Sequence, residues 1–335
     1  MKQYQLDTHF SIDGLAMQDA PIPTPGANEV LIKVKALSLN FRDYNIVRGG
    51  YPDKLTLPFV PVSDGAGEVV AVGAAVQNFK PKDRVMTHFL PKWRDGTPAA
   101  AMLAQTLGAP LPGLLAEYAV LPSEALAILP DYLSFTEAAT LPVAALTAWH
   151  AVVAIGRITA GQTVVVQGTG GVAIFALQFA KMHGARVIVT SSSDEKLKRA
   201  KELGADALIN YKTTPEWHKE VLKLTNGYGA DIVLDVAGTT LNQSLAAVRV
   251  GGQVSAIGLL QGHEPKVNIV PLLQHKKSIV GITVGSYAML QDMLIAMETH
   301  QLHPIIGATF QFADTKQAFQ QLADGDTFGK IAITI

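Results

Sequence analysis

The sequence TVVVQGTGGVA, at residues 163–173, decides the fold that we predict for this chain. Its first five residues are a short apolar run typical of a buried strand, and a helical pattern follows the glycines. Gly168 permits a tight turn, Gly170 lets backbone approach a pyrophosphate, and Ala173 is small enough for the helix to pack on the strand. This Gly-x-Gly-x-x-Ala pattern between a strand and a helix predicts a dinucleotide-binding turn. A glycine turn that serves packing alone is the alternative.

The region after this turn repeats the strand and helix pattern. The first helix offers the N–H groups of Gly171 and Val172, and its partial positive charge, to the pyrophosphate. Four further apolar runs alternate with helical patterns, at residues 186–190, 207–210, 231–236 and 253–257. Strands that alternate with helices indicate a parallel sheet covered on both faces. We therefore predict a doubly wound α/β unit over residues 126–265.

The flanking regions have a different pattern. Residues 30–39 alternate apolar side chains with Lys33, Lys35 and Ser38, as a half-buried strand does. Near the C-terminus, apolar runs return without regular alternation with helices. We therefore expect a β-rich domain formed by residues 1–125 together with residues 266–335, into which the α/β unit is inserted.

The end of the second strand of the α/β unit selects the cofactor. Enzymes that use NAD usually place Asp or Glu about 20 residues beyond the first glycine, on the ribose 2′-hydroxyl. Here Ser191 and Ser192 occupy that place, and Lys196 and Tyr211 are near. These side chains can donate hydrogen bonds to a ribose 2′-phosphate, and no acidic side chain is present there to repel it. We predict NADP as the cofactor. The alternative is that Ser192 forms a capping box with Glu195 and that Lys196 lies on a solvated helix face.

The composition excludes several classes of protein. Hydrophobic residues make up 48% and charged residues 16%, a balance that excludes a disordered chain. Lys plus Arg number 27 against 28 Asp plus Glu, and no long basic run occurs, so we expect no nucleic-acid partner. The absence of Cys excludes disulfides, Cys-ligated zinc and cysteine nucleophiles. Neither a membrane span nor a signal peptide is recognisable, so we predict a cytoplasmic protein without a membrane partner.

Six motifs together resemble the medium-chain dehydrogenase/reductase superfamily, and within it the zinc-free branch that is similar to quinone reductases. They are NFRDYNIVRGGY at residues 40–51, PVSDGAGEVV at 61–70, LPVAALTAWH at 141–150, the glycine turn, INY at 209–211 and GKI at 329–331. The resemblance covers nearly the whole chain. It implies a Rossmann doubly wound parallel sheet inserted into a β-rich, GroES-like catalytic domain.

The resemblance also implies a site without metal. The zinc alcohol dehydrogenases of the superfamily hold their catalytic metal with Cys, His and a second Cys or an acidic residue. The matching positions here carry Asn40, Ser63 and Val143, none of which is a competent zinc ligand. Asp64 stands where the family has the Glu that follows the His. We therefore expect metal-free chemistry.

Without zinc, the easier hydride acceptors are quinones and α,β-unsaturated carbonyls, because charge delocalises onto an oxygen that hydrogen-bond donors can stabilise. The resemblance implies that Asn40 donates to the substrate oxygen or the nicotinamide ribose, and that Tyr51 is a donor or proton source. Asp43 is implied as an orienting residue, with a loop cap as the alternative. Cofactor contacts are further implied at Thr147, Gly258 and Lys330; Thr147 is alternatively an ordinary helix residue.

These expectations combine into one predicted function and two alternatives. We predict an NADPH-dependent reductase of small-molecule quinones or α,β-unsaturated carbonyls. The alternatives are a zinc-independent, NADP-dependent alcohol dehydrogenase or carbonyl reductase, and a non-catalytic, crystallin-like protein that binds nucleotide.

The apolar run at residues 278–284 bears on assembly. As the outermost strand of the sheet it would expose unpaired N–H and C=O groups. The resemblance implies that the same strand of a second subunit covers it in a homodimer with a two-fold axis. An edge masked by the chain's own segments is the alternative.

Overall fold

The computed structural model describes residues 1–50, 55–260, 262 and 266–335. They form two compact units, one of Met1–Leu146 with Val284–Ile335 and one of Thr147–Thr283. The second unit is thus inserted between two parts of the first. The predicted boundaries at 125/126 and 265/266 lie earlier in the chain than these divisions, because residues 126–146 still add a strand and helical turns to the first unit.

The described residues form fifteen strands. They are β1 (Lys2–Leu6), β2 (Leu15–Asp19), β3 (Glu29–Leu39), β4 (Asp64–Val72), β5 (Arg84–Thr87), β6 (Tyr118–Pro122), β7 (Leu126–Ile128), β8 (Thr163–Gln167), β9 (Arg186–Ser191), β10 (Ala207–Asn210), β11 (Ala230–Asp235), β12 (Val248–Ala256), β13 (Ser278–Gly281), β14 (Ile306–Gln311) and β15 (Lys330–Thr334).

The same residues form eleven α-helices. They are α1 (Phe41–Val47), α2 (Ala100–Leu103), α3 (Phe135–Ala138), α4 (Leu146–Trp149), α5 (Gly171–Met182), α6 (Asp194–Glu202), α7 (Trp217–Leu224), α8 (Leu241–Ala247), α9 (Val270–Gln274), α10 (Tyr287–Thr299) and α11 (Thr315–Asp324). Short 3-10 turns lie at Ser123–Ala125 and Phe312–Asp314, and π-helical turns at Leu141–Ala145 and His150–Ala154. Within the described residues, no helix combines the length and the hydropathy needed to cross a bilayer.

The first unit is built on a mixed sheet with β3 near its centre. The strands run in the order β14-β15-β3-β4-β5-β7, with β6 also paired to β3, while β1 and β2 form a separate antiparallel ribbon. Its core contains the fully buried Ile32, Phe319 and Ile333. The alternation predicted for β3 holds at Lys33, which is exposed, but not at Ser38, which is buried. Burial is tolerated there because the Ser38 hydroxyl donates to the Ile331 carbonyl at 2.7 Å.

The second unit has the predicted doubly wound sheet. Six parallel strands run in the order β10-β9-β8-β11-β12-β13. In order of appearance this is 3-2-1-4-5-6, the Rossmann arrangement, in which the crevice opens where the winding reverses between the first and fourth strands. The predicted fold class is therefore confirmed: a Rossmann sheet inserted into a β-rich unit.

The outermost strand of this sheet is shorter than predicted. The apolar run suggested residues 278–284, whereas β13 is Ser278–Gly281. Its ladder ends because its partner β12 ends at Ala256, which pairs with Gly281. The chain then turns away, and Val284 has a positive φ of 31°. β13 nonetheless extends the Rossmann sheet at its edge.

A buried histidine follows β5 in the first unit. His88 is fully buried, and its Nε2 lies 3.4 Å from the Gly285 carbonyl oxygen, while the Tyr287 ring packs edge-on against the imidazole. Its Nδ1 has no hydrogen-bond partner among the described residues. Burial lowers the pKa of His88 from 6.5 to about 4, because a charged imidazolium would be desolvated there.

We expect this histidine to make the protein acid-sensitive. The pKa is depressed on folding, so His88 contributes stability that is present above pH 6.5 and lost as the pH falls towards 4, by up to about 3 kcal/mol. His88→Gln should remove much of that acid-dependent loss in urea unfolding measured between pH 7 and pH 4. The exposed His9, as His9→Gln, is the control and should leave the loss unchanged. An undiminished loss in His88→Gln would contradict this account.

Candidate active site

The predicted dinucleotide turn joins β8 to α5 in the second unit. Gly168 has φ of +80° and its N–H donates to the Thr190 carbonyl at 2.8 Å, a conformation that suits glycine. Gly170 is the N-cap of α5, with an ordinary φ of −79°. A Cβ at either glycine would meet no protein atom within 4 Å. Neither glycine is therefore needed for packing against protein, and the turn leaves open space at the N-terminus of a twelve-residue helix.

A buried polar network supports this turn from the neighbouring strand. The Gln167 amide donates to the Asp235 carboxylate at 3.4 Å and to the Ser244 hydroxyl at 3.0 Å. The same carboxylate accepts from Ser244, from Thr240 and from the Gly238 backbone N–H. The network thereby ties the residue before Gly168 to the loop that follows β11.

A cleft of about 440 Å³ lies within the second unit, at the carboxyl ends of β11, β12 and β13. Asp235, Gly258 and Thr283 are among the residues that line it. Gly258, a predicted cofactor contact, has no room for a side chain, because a Cβ would lie 2.4 Å from the Val236 carbonyl oxygen. Thr147, the first residue of this unit, is buried in the helical segment that contains α4.

The predicted 2′-phosphate residues gather at the ends of β9 and β10. Ser191 ends β9, and its carbonyl accepts from the Tyr211 backbone N–H at 3.0 Å. Ser192 follows, half-buried, and Lys196 lies in the first turns of α6. The alternative role of Ser192, a capping box with Glu195, is not found: the N-cap is Ser193, whose hydroxyl accepts from the Lys196 N–H at 3.3 Å. Strand β9 continues to Ser191 and α6 begins at Asp194, so the N-cap position falls on Ser193 and the Ser192 side chain does not cap the helix.

The first unit holds a buried cluster centred on Asp64. Its carboxylate accepts from the Asn40 amide at 2.8 Å, from the Ser63 hydroxyl at 2.9 Å and from the Val143 backbone N–H at 3.1 Å. Asn40 Oδ1 in turn accepts from the Lys330 ammonium at 2.6 Å. The three positions that match zinc ligands in the family therefore do come together, but as a set of hydrogen-bonded groups around a carboxylate.

These groups do not suit a zinc ion. The Asn40 amide, the Ser63 hydroxyl and the Val143 backbone N–H all donate hydrogen bonds to the Asp64 carboxylate. The positively charged Lys330 ammonium lies against the Asn40 amide oxygen. Zinc sites are built from thiolate, imidazole and carboxylate groups. Among the described residues no group of three or more His, Cys, Asp or Glu side chains is gathered to hold a metal. The metal-free site stays a prediction, and the donor set supports it.

Asp43 lies in the first turn of α1 and is fully buried. Its carboxylate accepts from the Asn40 backbone N–H at 2.8 Å and from the Ser63 backbone N–H at 3.3 Å. It therefore bonds nearby backbone, as a loop cap does, and by the same bonds it holds the backbone of Asn40. Tyr51, the third predicted catalytic residue, lies outside the described residues.

Burial shifts the pKa values of all three charged groups in this cluster. Burial raises the pKa of Asp43 to about 6, against the lowering effect of the Arg42 charge. Burial also raises the pKa of Asp64, while Lys330 and the hydrogen bonds from Asn40 and Ser63 oppose the rise. The pKa of Lys330 is lowered by burial and partly restored by the two carboxylates. The cluster is thus a set of compensating charges kept away from water.

Two features of the site were missed in the sequence. The first is the pair of hydrogen bonds that the buried Lys330 ammonium donates to the Leu39 carbonyl and to Asn40; the cofactor contact that the resemblance implies for Lys330 stays a prediction. The network of Gln167 and Asp235 was not foreseen. The Lys330–Asn40 contact follows from strand register: Ile331 pairs with Leu39, so Lys330 lies opposite Asn40, and no local sequence pattern reports that pairing.

The two turn glycines give a matched pair of substitutions. Gly170→Ala should change the free energy of unfolding by less than about 0.5 kcal/mol, because φ is ordinary and the added methyl meets no protein atom. It should weaken dinucleotide binding by about tenfold or more, because backbone must approach the pyrophosphate there. Gly168→Ala should instead destabilise the fold by about 1 kcal/mol through its positive φ. Chemical unfolding measures the stability of the two variants, and nucleotide titration measures their dinucleotide affinity. If Gly170→Ala binds dinucleotide as tightly as the parent, the turn does not contact the pyrophosphate.

Comparison with known families and proteins gives a consistent result. Residues 26–131 match the family of alcohol dehydrogenase GroES-like domains, and residues 171–299 match the zinc-binding dehydrogenase family. A zinc-type alcohol dehydrogenase-like protein from Schizosaccharomyces pombe is 43% identical and aligns over 98% of this chain and 97% of its own. A quinone oxidoreductase from Pongo abelii is 29% identical over 92% of this chain and 89% of its own.

Solved structures agree with these relatives. A candidate alcohol dehydrogenase from Sinorhizobium meliloti 1021 has a TM-score of 0.94 at 42% identity, covering 100% of this chain and 98% of its own. An NAD-dependent alcohol dehydrogenase has a TM-score of 0.91 at 36% identity, and a mycobacterial protein complexed with NADPH has 0.84 at 28%; both cover 100% of each chain. The chain therefore belongs to the zinc-type alcohol dehydrogenase-like family of medium-chain dehydrogenases/reductases and is an oxidoreductase of that family.

Proposed function

We propose that this oxidoreductase is a metal-free, NADPH-dependent reductase of quinones or α,β-unsaturated carbonyls. The observation that carries the proposal is the cluster around Asp64, in which hydrogen-bond donors occupy the positions of the family's zinc ligands. A saturated ketone needs strong polarisation of its oxygen, whereas a conjugated acceptor spreads the developing charge. The similarity to a quinone oxidoreductase supports the same substrate class.

The cofactor site fits a dinucleotide. The open turn at Gly168 and Gly170, with the N–H groups of Gly171 and Val172 at the start of α5, would hold the pyrophosphate. Gly258, in the wall of the cleft, and Thr147 are the proposed contacts nearer the nicotinamide. The chemistry that NADPH supplies when bound is hydride donation.

The protein's part is to orient the substrate and stabilise its oxygen. Asn40 keeps one amide N–H without a partner among the described residues, and this N–H is the proposed donor to the substrate oxygen as negative charge develops there. Asp43 holds the backbone of Asn40 in place. Tyr51 remains the proposed proton source, and the location in the cytoplasm remains a prediction.

A substrate panel followed by NADPH absorbance tests the function. Quinones and enones should be reduced, saturated ketones should not, and chelators should leave the rate unchanged. Turnover of saturated ketones or oxidation of alcohols would favour the second candidate, an alcohol dehydrogenase, which the similarity to an NAD-dependent alcohol dehydrogenase supports. Nucleotide binding without any turnover would favour a non-catalytic protein. Stoichiometric zinc in elemental analysis would overturn the metal-free mechanism.

We expect NADPH to bind better than NADH. No acid stands at the end of β9, where Ser191 and Ser192 offer hydroxyl donors and Lys196 offers a positive charge. One charge-assisted hydrogen bond contributes about 1.5–3 kcal/mol, so Lys196→Ala should weaken NADPH binding by about tenfold or more and spare NADH. The exposed Lys198 on the same helix is the matched control, since Lys198→Ala should leave both affinities unchanged. Equal affinities of the parent protein for the two cofactors would refute the assignment.

We also propose a homodimer joined through the edge strand β13. This strand is the last of its sheet, and nearby α9 exposes apolar side chains, including Val270 at 47% and Leu273 at 75%. Light scattering at micromolar concentration should give about twice the chain mass of 35.6 kDa. Val280→Lys should dissociate the dimer, whereas Ile295→Lys, at an exposed site on α10, should not. A monomeric parent protein would contradict the homodimer. A dimer that persists in Val280→Lys would show that β13 is not its interface.

A further inference from the structure

The Asn40 side chain is held between two charged groups. Its Oδ1 accepts from the Lys330 ammonium at 2.6 Å, and its Nδ2 donates to the Asp64 carboxylate at 2.8 Å. Asn40 is 9% exposed, Lys330 is 3% exposed and Asp64 is fully buried. Water therefore competes little for either hydrogen bond, and both partners are fixed by their own further bonds to the protein.

The three residues meet because of strand register. Lys330 begins β15 and Asn40 follows the end of β3; the pairing of Ile331 with Leu39 continues to bring Lys330 opposite Asn40. Asp64 begins β4, where it pairs with Ser38 on the other side of β3. The cation and the carboxylate therefore approach the same amide from the two strands that flank it.

These two charges decide which way the amide faces. A side-chain amide has two orientations that exchange its oxygen and nitrogen. An ammonium can only donate and an ionised carboxylate can only accept. The exchanged amide would place N–H groups against the ammonium and the oxygen against the carboxylate, so both contacts would be repulsive. Only the observed orientation satisfies both charges, and it leaves the second N–H of Nδ2 without a partner among the described residues.

We propose that Lys330 is a positioning residue whose ammonium holds the Asn40 amide in the orientation that presents this N–H to the substrate oxygen. The inference rests on the proposed function for the role of Asn40, and it adds the cause of the amide's orientation. Lys330 touches neither the substrate nor the reacting atoms in this role; it acts through Asn40. A purely structural role, in which Lys330 only compensates the charges of Asp43 and Asp64, makes different predictions.

A double-mutant cycle on quinone or enone reduction separates the two roles. Lys330→Met and Asn40→Ala should each lower kcat by about tenfold or more with little change in KM, because the donor acts on charge that develops in the transition state. The double variant Lys330→Met/Asn40→Ala should be no worse than Asn40→Ala alone, since both changes remove one interaction. Effects that multiply in the double variant would overturn the proposal.

Two further variants test charge compensation directly. Lys330→Met/Asp64→Asn removes one positive and one negative charge, so it keeps the parent's net charge in the cluster, but it supplies no cation to orient Asn40; its kcat should therefore stay low even where its stability recovers. Full recovery of kcat would overturn the proposal. Lys330→Arg keeps both the charge and the donor groups and should retain much of the parent kcat. Where Lys330→Met does not fold, Lys330→Leu takes its place in each comparison, because it also removes both the charge and the donor groups.

A measurement without substrate or cofactor keeps the inference distinct from the proposed function. The two side-chain amide protons of Asn40 are assigned in nitrogen-15 NMR spectra by their loss in Asn40→Ala. In the parent they should be well separated, with one protected from solvent exchange, and in Lys330→Met they should shift towards the values of an unrestrained amide. Signals that do not move in Lys330→Met would overturn the positioning role. If they move while the parent reduces no quinone or enone, the proposed function fails and the positioning role stands.

Discussion

The buried Asp64 carboxylate is the interaction on which the rest of the first unit's site depends. It gathers an amide from the end of β3, a hydroxyl from the residue before β4 and a backbone N–H from the π-helical turn at Leu141–Ala145. A carboxylate without such donors would not remain charged at this depth, because burial opposes the charged form. The nearby Lys330 ammonium completes the compensation. Replacing one partner alone leaves an uncompensated buried charge, the most destabilising kind of loss in such a cluster.

This arrangement supports the metal-free chemistry that we propose for a family framework in which other members bind zinc. The chain keeps the positions that come together in zinc-dependent relatives but fills them with groups that bond to one another. In the function that we propose, the Asn40 amide serves as a directional donor in place of a Lewis acid. A single N–H stabilises a localised oxyanion less than a metal ion does, which is why we propose substrates that delocalise their charge.

In the second unit, the two glycines of the turn after β8 have different physical roles. Gly168 needs its positive φ, whereas Gly170 has an ordinary backbone conformation and no protein neighbour for a side chain to meet. The absence of a side chain at Gly170 therefore matters only for a ligand that would occupy the open space beside the turn. The network of Gln167, Asp235, Thr240 and Ser244 anchors that turn to the next strand, so the glycine turn and the loop lining the cleft are held by one set of buried hydrogen bonds.

The sequence by itself determined the doubly wound sheet, the inserted position of that unit and the glycine turn, because each depends on local periodicity and on residues adjacent in the chain. It did not determine where β13 ends, which follows from the length of its partner β12, nor which serine caps α6. Above all, the sequence did not determine that the Lys330 ammonium donates to the side-chain oxygen of Asn40, 290 residues away in the chain. Only the tertiary structure decided this, because the contact arises from the register between β15 and β3, and register is set by packing over the whole sheet rather than by any local pattern.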